Sequence, residues 1–194
     1  MRKFVSNIIF RIIIIIDNSF RVIFNKSIKE LVYELIRESS YTHIRFDSEE
    51  LTFFTPSFIS HWRAKTFYSK EKETIKWIDN FIINKNDNFW DIGANVGNYS
   101  IYAAKKHPHL SVVAFEPSFL NLNLLSRNIS INKLESVINI VQLPLSSKET
   151  HFQFFNETSV SEGSAINSFT GIEENLNSPV QTRTQILGTS GDEL

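Results

Sequence analysis

Cysteine is absent from all 194 residues. That excludes thiol catalysis, thiolate zinc sites, iron–sulfur clusters and a disulfide scaffold. An excess of one charge is also lacking. The 20 Lys and Arg residues face 21 Asp and Glu, for a net charge of −1, which leaves no electrostatic footprint for non-specific nucleic-acid binding. No clean apolar run approaches the roughly 20 residues of a membrane span; the stretch from Ile8 to Ile16 is broken by Arg11. It ends in Asp17-Asn18-Ser19-Phe20, without the small residues of a signal-peptide cleavage site. The histidines His43, His61, His107, His109 and His151 show no ligand spacing, so no metal is expected. What remains is an ordinary globular composition, 42% hydrophobic and 21% charged. The chain is long enough to bury about 70% of its unfolded surface, as one domain with an N-terminal appendage.

The appendage differs from the rest. Residues 1–30 carry Arg2, Lys3, Arg11, Arg21, Lys26 and Lys29 against Asp17 and Glu30, an excess of +4 that leaves −5 for the remainder. One reading is a helix packed on the domain or on a partner. The other is a basic amphipathic helix lying on an anionic membrane surface. With neither span nor signal, the expected location is the cytoplasm, with weak contact to a membrane surface through this helix. Ser27-Ile28-Lys29-Glu30 matches a capping box, and Leu31, Leu35 and Ile36 supply the stripe of a helix over 28–38. Short strands are expected over 42–47 and 51–54, completing an N-terminal extension over 1–56. A helix follows over 57–67. Ile75, Ile78, Phe81 and Ile82 mark another over 70–83, and the turn Asn84-Lys85-Asn86-Asp87 ends it.

From residue 88 the pattern changes. Phe89-Trp90-Asp91-Ile92 reads as a short buried strand, Gly93-Ala94-Asn95-Val96-Gly97 as a tight turn, and 99–106 as a helix opening from it. A second strand over 112–115 ends at Glu116-Pro117. A helix over 119–131, capped by Ser118, leads to a third strand over 137–143. Strands alternating with helices across short connections predict a parallel α/β sheet, Rossmann-like, with helices on its faces.

The chemistry lies where the first two strands end. Glycines let the backbone turn sharply and approach a ligand, and the following helix presents free N–H groups. Glu116, nineteen residues beyond Gly97, is placed to accept hydrogen bonds from a ribose. A dinucleotide site would read G-x-G-x-x-G; here the spacing is G-x-x-x-G, with Asp91 two residues before the first glycine. A carboxylate there repels a pyrophosphate and suits a cation. S-adenosylmethionine, which carries a sulfonium and an ammonium and no phosphate, fits better than NAD.

The segment from Phe89 to Ser100 resembles the opening motif of FkbM-family methyltransferases, and Val113-Ala114-Phe115-Glu116-Pro117-Ser118 resembles their second motif. Asn121, Leu125, Asn128 and Asn132 sit where that family's second helix carries Asn and Leu. Trp62-Arg63-Ala64 and residues 69–78 resemble the lead-in of one subgroup. The resemblance spans about residues 57–155 and implies the class I methyltransferase fold over 57–194, with S-adenosylmethionine as cofactor. It also implies O-methylation of a sugar or polyketide-type hydroxyl on a small-molecule or glycan acceptor. Gly93, Ala94, Asn95 and Gly97 would line the methionine end, with Asp91 anchoring the turn. Glu116 would bind the ribose, Leu143 to Ser146 would border the adenine, and Glu73 would reach the ammonium. Trp62 and Trp77 are expected in the core, and Tyr99 is expected to pack its helix on the sheet.

No catalytic base is assigned. The family's next motif, an apolar strand ending in an acidic segment, has no counterpart before Leu194. The expectation is therefore a domain lacking its C-terminal part, and a non-catalytic cofactor-binding remnant stays open beside the enzyme. An NAD-dependent oxidoreductase is the other alternative. Residues 156–179 are rich in Ser, Asn, Glu and Gly and predict a long loop at the acceptor site; 180–187 alternate like a further strand.

Overall fold

The computed structural model describes residues 1–47, 49–84, 87–147, 149–165, 167–169 and 179–194. Two compact units divide the chain, Met1–Ser40 and Tyr41–Leu194.

The first unit is a pair of helices, α1 (Arg2–Phe24) and α2 (Lys29–Glu38). Asn25 ends α1 in the left-handed region, at φ 51°, where Asn is tolerated better than most side chains. The expected capping box is replaced by a longer-range device. Asp17, 2% exposed, accepts the Ile28 and Lys29 backbone N–H groups at 2.7 and 3.1 Å and the Ser27 hydroxyl at 2.7 Å. A carboxylate from α1 thus caps α2, and the Ser27 side chain does not. Burial opposes ionisation of Asp17, but these hydrogen bonds and that of Arg21 outweigh it and hold the carboxyl well below the usual range. No helix among the described residues is long and apolar enough to cross a membrane.

The second unit opens with an antiparallel hairpin, β1 (Tyr41–Phe46) and β2 (Glu49–Phe54). Strict alternation buries Thr42, Ile44 and Phe46. The hairpin packs on α3 (Phe58–Lys65) and on α7 (Phe119–Ile131), so the boundary between units falls at Ser40 and not at residue 56. Two asparagines, Asn128 in α7 and Asn132 at its C-terminal cap, serve the β2 backbone. Asn132 accepts from Thr52 N–H at 3.1 Å and donates to Thr52 C=O at 2.7 Å; Asn128 accepts from Phe54 N–H at 2.7 Å. These bonds engage backbone N–H and C=O groups of β2. Asn128 is fully buried.

After α3 the chain makes a short α4 (Phe67–Lys70) and then α5 (Lys72–Asp79). The expected helix over 70–83 is cut short at Asn80, whose side chain turns back onto the Lys76 carbonyl at 2.6 Å. The turn expected at 84–87 includes Lys85 and Asn86, which lie outside the described residues. Trp77 is 59% exposed and Trp62 41% exposed, so neither lies in the core. Trp77 packs its ring on Phe81 and Phe89 at the rim, and Trp62 carries Lys70 over its face.

The central feature is a parallel sheet in the order β3 (Asn88–Ile92), β4 (Ser111–Phe115), β5 (Ile138–Val141). Its strands are connected through α6 (Asn98–Lys106) and α7, the β-α-β-α-β unit of a Rossmann-like fold. Phe89, Val112, Ala114 and Ile138 share one face and bury against Ile101, Ala104, Leu125 and Ile129 of the helices in a single cluster. Each fully buried Leu or Ile contributes about 1.5–3 kcal/mol. On the opposite face Trp90 and Ile92 remain 40% and 64% exposed.

A second, antiparallel sheet follows, in the order β7 (Asn167–Phe169), β6 (His151–Glu157), β8 (Thr182–Gly188). The alternating segment at 180–187 thus forms β8. The loop expected over 156–179 is interrupted: Asn156 and Glu157 finish β6, and β7 pairs Phe169 with Phe155. Its stretch from Thr170 to Ser178 lies outside the described residues.

Candidate cofactor site at the carboxyl edge of the parallel sheet

The turn after β3 alternates between left-handed and ordinary backbone. Gly93, Asn95 and Gly97 have φ of 81°, 54° and 87°. Gly93 and Ala94 both donate their N–H to the Phe115 carbonyl at 2.9 Å, tying the turn to the end of β4. At Gly97 the constraint is also spatial, because a Cβ there would lie 2.6 Å from Leu125 Cδ1. Asp91 anchors the start of α6, accepting from the Ser100 hydroxyl at 2.5 Å and from its backbone N–H. Enclosure pushes the Asp91 carboxyl above its ordinary range, against these hydrogen bonds.

Glu116 closes the same turn from β4. It is 4% exposed. Oε2 accepts the Asn95 N–H at 2.7 Å and Oε1 accepts the Ser118 N–H at 2.8 Å. Burial raises its pKa, those two bonds and Asn121 lower it, nearby Glu157 raises it, and the net direction is upward. Ser118 Oγ caps α7, as expected, and donates to Glu157 at 2.5 Å.

Residues 161–165 form a roof that sequence patterns did not reveal. Ser57 Oγ donates to the Glu162 carbonyl at 2.7 Å and Arg63 Nε to the Gly163 carbonyl at 2.5 Å. The Ser164 carbonyl receives both Asn95 and Asn121 side-chain amides, at 2.7 and 3.0 Å. Four side chains, two from α3 and its cap, one from the glycine turn and one from α7, thus pin this segment over the turn.

Two cavities flank the turn. The larger, about 250 Å³, is lined by Gly93, Asn95, Glu116, Leu143, Ser164 and Phe169, among others. The smaller, about 50 Å³, is lined by Ala94, Asn95, Asn98, Arg63, Glu71 and Tyr99, among others. Of the residues singled out in the sequence, Gly93, Ala94, Asn95, Glu116 and Leu143 meet around these spaces. Asp91 and Gly97 frame the turn and line neither cavity. Glu73 stands exposed on α5 and lines neither cavity, whereas Glu71 lines the smaller one. The Tyr99 hydroxyl donates to Glu71, so Tyr99 faces the cavity as well as packing its ring on Phe67. Burial works against ionisation of Glu71, but Tyr99, Lys70 and the Arg63 charge hold its carboxyl below the ordinary range. Arg63 was legible only as part of a lead-in motif; nothing in its spacing marked it as a site residue.

Two acceptors at this turn, Asn95 Oδ1 and Asn98 Oδ1, are buried without a hydrogen-bond partner. Such atoms are costly unless a ligand or water supplies a donor. Among the described residues no group of His, Asp and Glu has the geometry of a metal site.

No family model matches the chain. The methyltransferase sdnD of Sordaria araneosa is 40% identical over 57 residues, 29% of this chain and 22% of that protein. The matched segment thus spans about a fifth of the relative's length. Among solved structures the chain is similar to a SAM-dependent methyltransferase from Agrobacterium tumefaciens. That match has 14% identity and a TM-score of 0.41, and covers 54% of this chain and 32% of the other. It is also similar to P. horikoshii TYW2 in complex with MeSAdo, at 19% identity and a TM-score of 0.39, over 54% of this chain and 36% of the other.

Proposed function

We propose that this chain binds S-adenosylmethionine at the carboxyl edge of β3, β4 and β5 and serves methyl transfer to a hydroxyl of a sugar or polyketide-type acceptor. The observation that carries the reading is the pair of unpartnered buried acceptors, Asn95 Oδ1 and Asn98 Oδ1, beside Glu71 and Arg63. Acceptors without donors suit an ammonium. They do not suit the donor-free oxygens of a dinucleotide pyrophosphate. One acid and one guanidinium in the same small cavity match the zwitterionic end of an amino acid. Arg63 would take its carboxylate, and Glu71, Asn95 and Asn98 its ammonium. Glu116 Oε2 accepts one protein hydrogen bond and keeps a lone pair for a ribose hydroxyl. Leu143 would border the adenine.

Bound there, the cofactor supplies an electrophilic methyl group on a sulfonium. The contribution of the chain is position. The turn, held by Phe115 C=O, Glu116 and Asp91, fixes the binding groups before the ligand arrives, which limits the entropy cost of alignment.

Calorimetry on the full chain tests the cofactor. S-adenosylmethionine should bind and NAD should not; the reverse result overturns the assignment. Glu71→Gln should weaken binding about tenfold or more, the scale of a hydrogen bond to a charged group, while Glu73→Gln should leave it unchanged. Transfer of a labelled methyl group to a panel of glycans and polyketide alcohols tests the acceptor. Labelling only of nitrogen or carbon acceptors would refute the hydroxyl class, and binding without any transfer would favour a non-catalytic module.

A further inference from the structure

The first unit carries an apolar face that nothing within the unit covers. Phe10, Ile13 and Ile14 of α1 turn toward Val32 and Ile36 of α2 around a groove of about 450 Å³. On the far side of α1 the residues Phe4, Ile8, Ile12, Ile15, Val22 and Ile23 recur at helical spacing and are all exposed, from 43% at Ile8 to 87% at Val22. Arg2 and Arg11 flank this stripe on the helical wheel. No ion pair among the described residues involves Arg2, Lys3, Arg11 or Lys26.

Charge selects the occupant. The one acid of α1 is Asp17, and it is buried beneath α2, capping that helix. The accessible surface of α1 is therefore apolar and cationic, with no exposed carboxylate of its own. We propose that this face of α1 docks on the surface of an anionic lipid bilayer, lying in the interface with the apolar stripe among the acyl chains and Arg2 and Arg11 among the headgroups. The helix is not apolar enough to span. A second copy of the chain is the poorer partner, because a two-fold interface across this stripe would bring like-charged flanks together; an anionic headgroup layer neutralises them. This inference does not depend on the proposed cofactor site.

Vesicle flotation of the full chain tests it. The protein should float with vesicles of phosphatidylcholine containing about a third phosphatidylglycerol, and binding should weaken with salt. Arg11→Gln should weaken it about fivefold, the share of one basic residue near such a surface. Ile15→Glu should abolish it, and Lys72→Gln, in the second unit, should leave it unchanged. Ile12→Trp should show a blue-shifted emission on these vesicles. All four substitutions are at exposed positions, so folding is not at stake. Equal binding to pure phosphatidylcholine, indifference to both Arg11→Gln and Ile15→Glu, or a stable dimer that does not float would each overturn the proposal.

Discussion

Adding one methyl group at Gly97, or one at Gly93, separates packing from backbone strain within a single turn. Both residues sit at positive φ, 87° and 81°. An alanine there costs about 1–2 kcal/mol, offset by up to about 1 kcal/mol through the reduced freedom of the unfolded chain. At Gly93 nothing lies within 4 Å of the new Cβ, so strain is the whole effect, about 1 kcal/mol. At Gly97 the new atom would meet Leu125 Cδ1 at 2.6 Å and Ile101 Cδ1 at 3.4 Å. Both neighbours are fully buried and have little room to move, which adds about 1–3 kcal/mol. Gly97→Ala should therefore lose about 3 kcal/mol, and at about 2–4 °C per kcal/mol for a unit this size its melting temperature should fall by roughly 10 °C, against roughly 3 °C for Gly93→Ala. Thermal melts followed by near-ultraviolet circular dichroism measure both. Equal losses, or a larger loss at Gly93, would refute the reasoning that Leu125 and the turn are packed against each other.

Other expectations follow from the same structure. Asn128→Ala removes the side-chain bonds to the Phe54 N–H and the Val96 C=O in a buried setting and should cost about 2–4 kcal/mol in urea denaturation; a loss under 0.5 kcal/mol, the scale of a neutral surface change, would show that these bonds are not formed. The raised pKa of Glu116 makes its contribution to stability fully present below the ordinary value of 4.5 and lost as pH rises through the folded-state pKa. The stability difference between Glu116→Gln and the native chain should accordingly grow in the mutant's favour with pH across that window; a difference that does not vary with pH would contradict the assigned direction. Asp17→Ala should speed hydrogen exchange at the Ile28 and Lys29 amides and reduce the helical signal of α2. Unchanged exchange at those two amides would mean that α2 is capped in another way.

Local pattern was enough to mark β3, α6, β4, α7 and β5, because a buried strand, a glycine turn and an amphipathic helix each leave a signature within a few residues. It also marked the turn from Gly93 to Gly97 and Glu116 as a group, since the carboxyl ends of adjacent parallel strands must share one edge; Leu143 was implied by the family resemblance alone. It failed where the decision depended on which way a side chain points. Glu71 and Glu73 are equally acidic, yet the first turns to Tyr99 and the second to solvent. Ser27 has the spacing of a capping box, yet Asp17 from the other helix reaches the amides first.

Distance along the chain is the other limit. The Arg63 contact to Gly163 and the Asn128 and Asn132 contacts to β2 join residues separated by 100, 74 and 80 positions. No short-range periodicity encodes such contacts. The sequence by itself determined the order of the elements and the residue types at the sheet edge. Tertiary structure alone decided which acid faces the cavity, what roofs it, and that the one carboxylate of α1 is buried, because each of these is settled by the packing of elements distant in the chain.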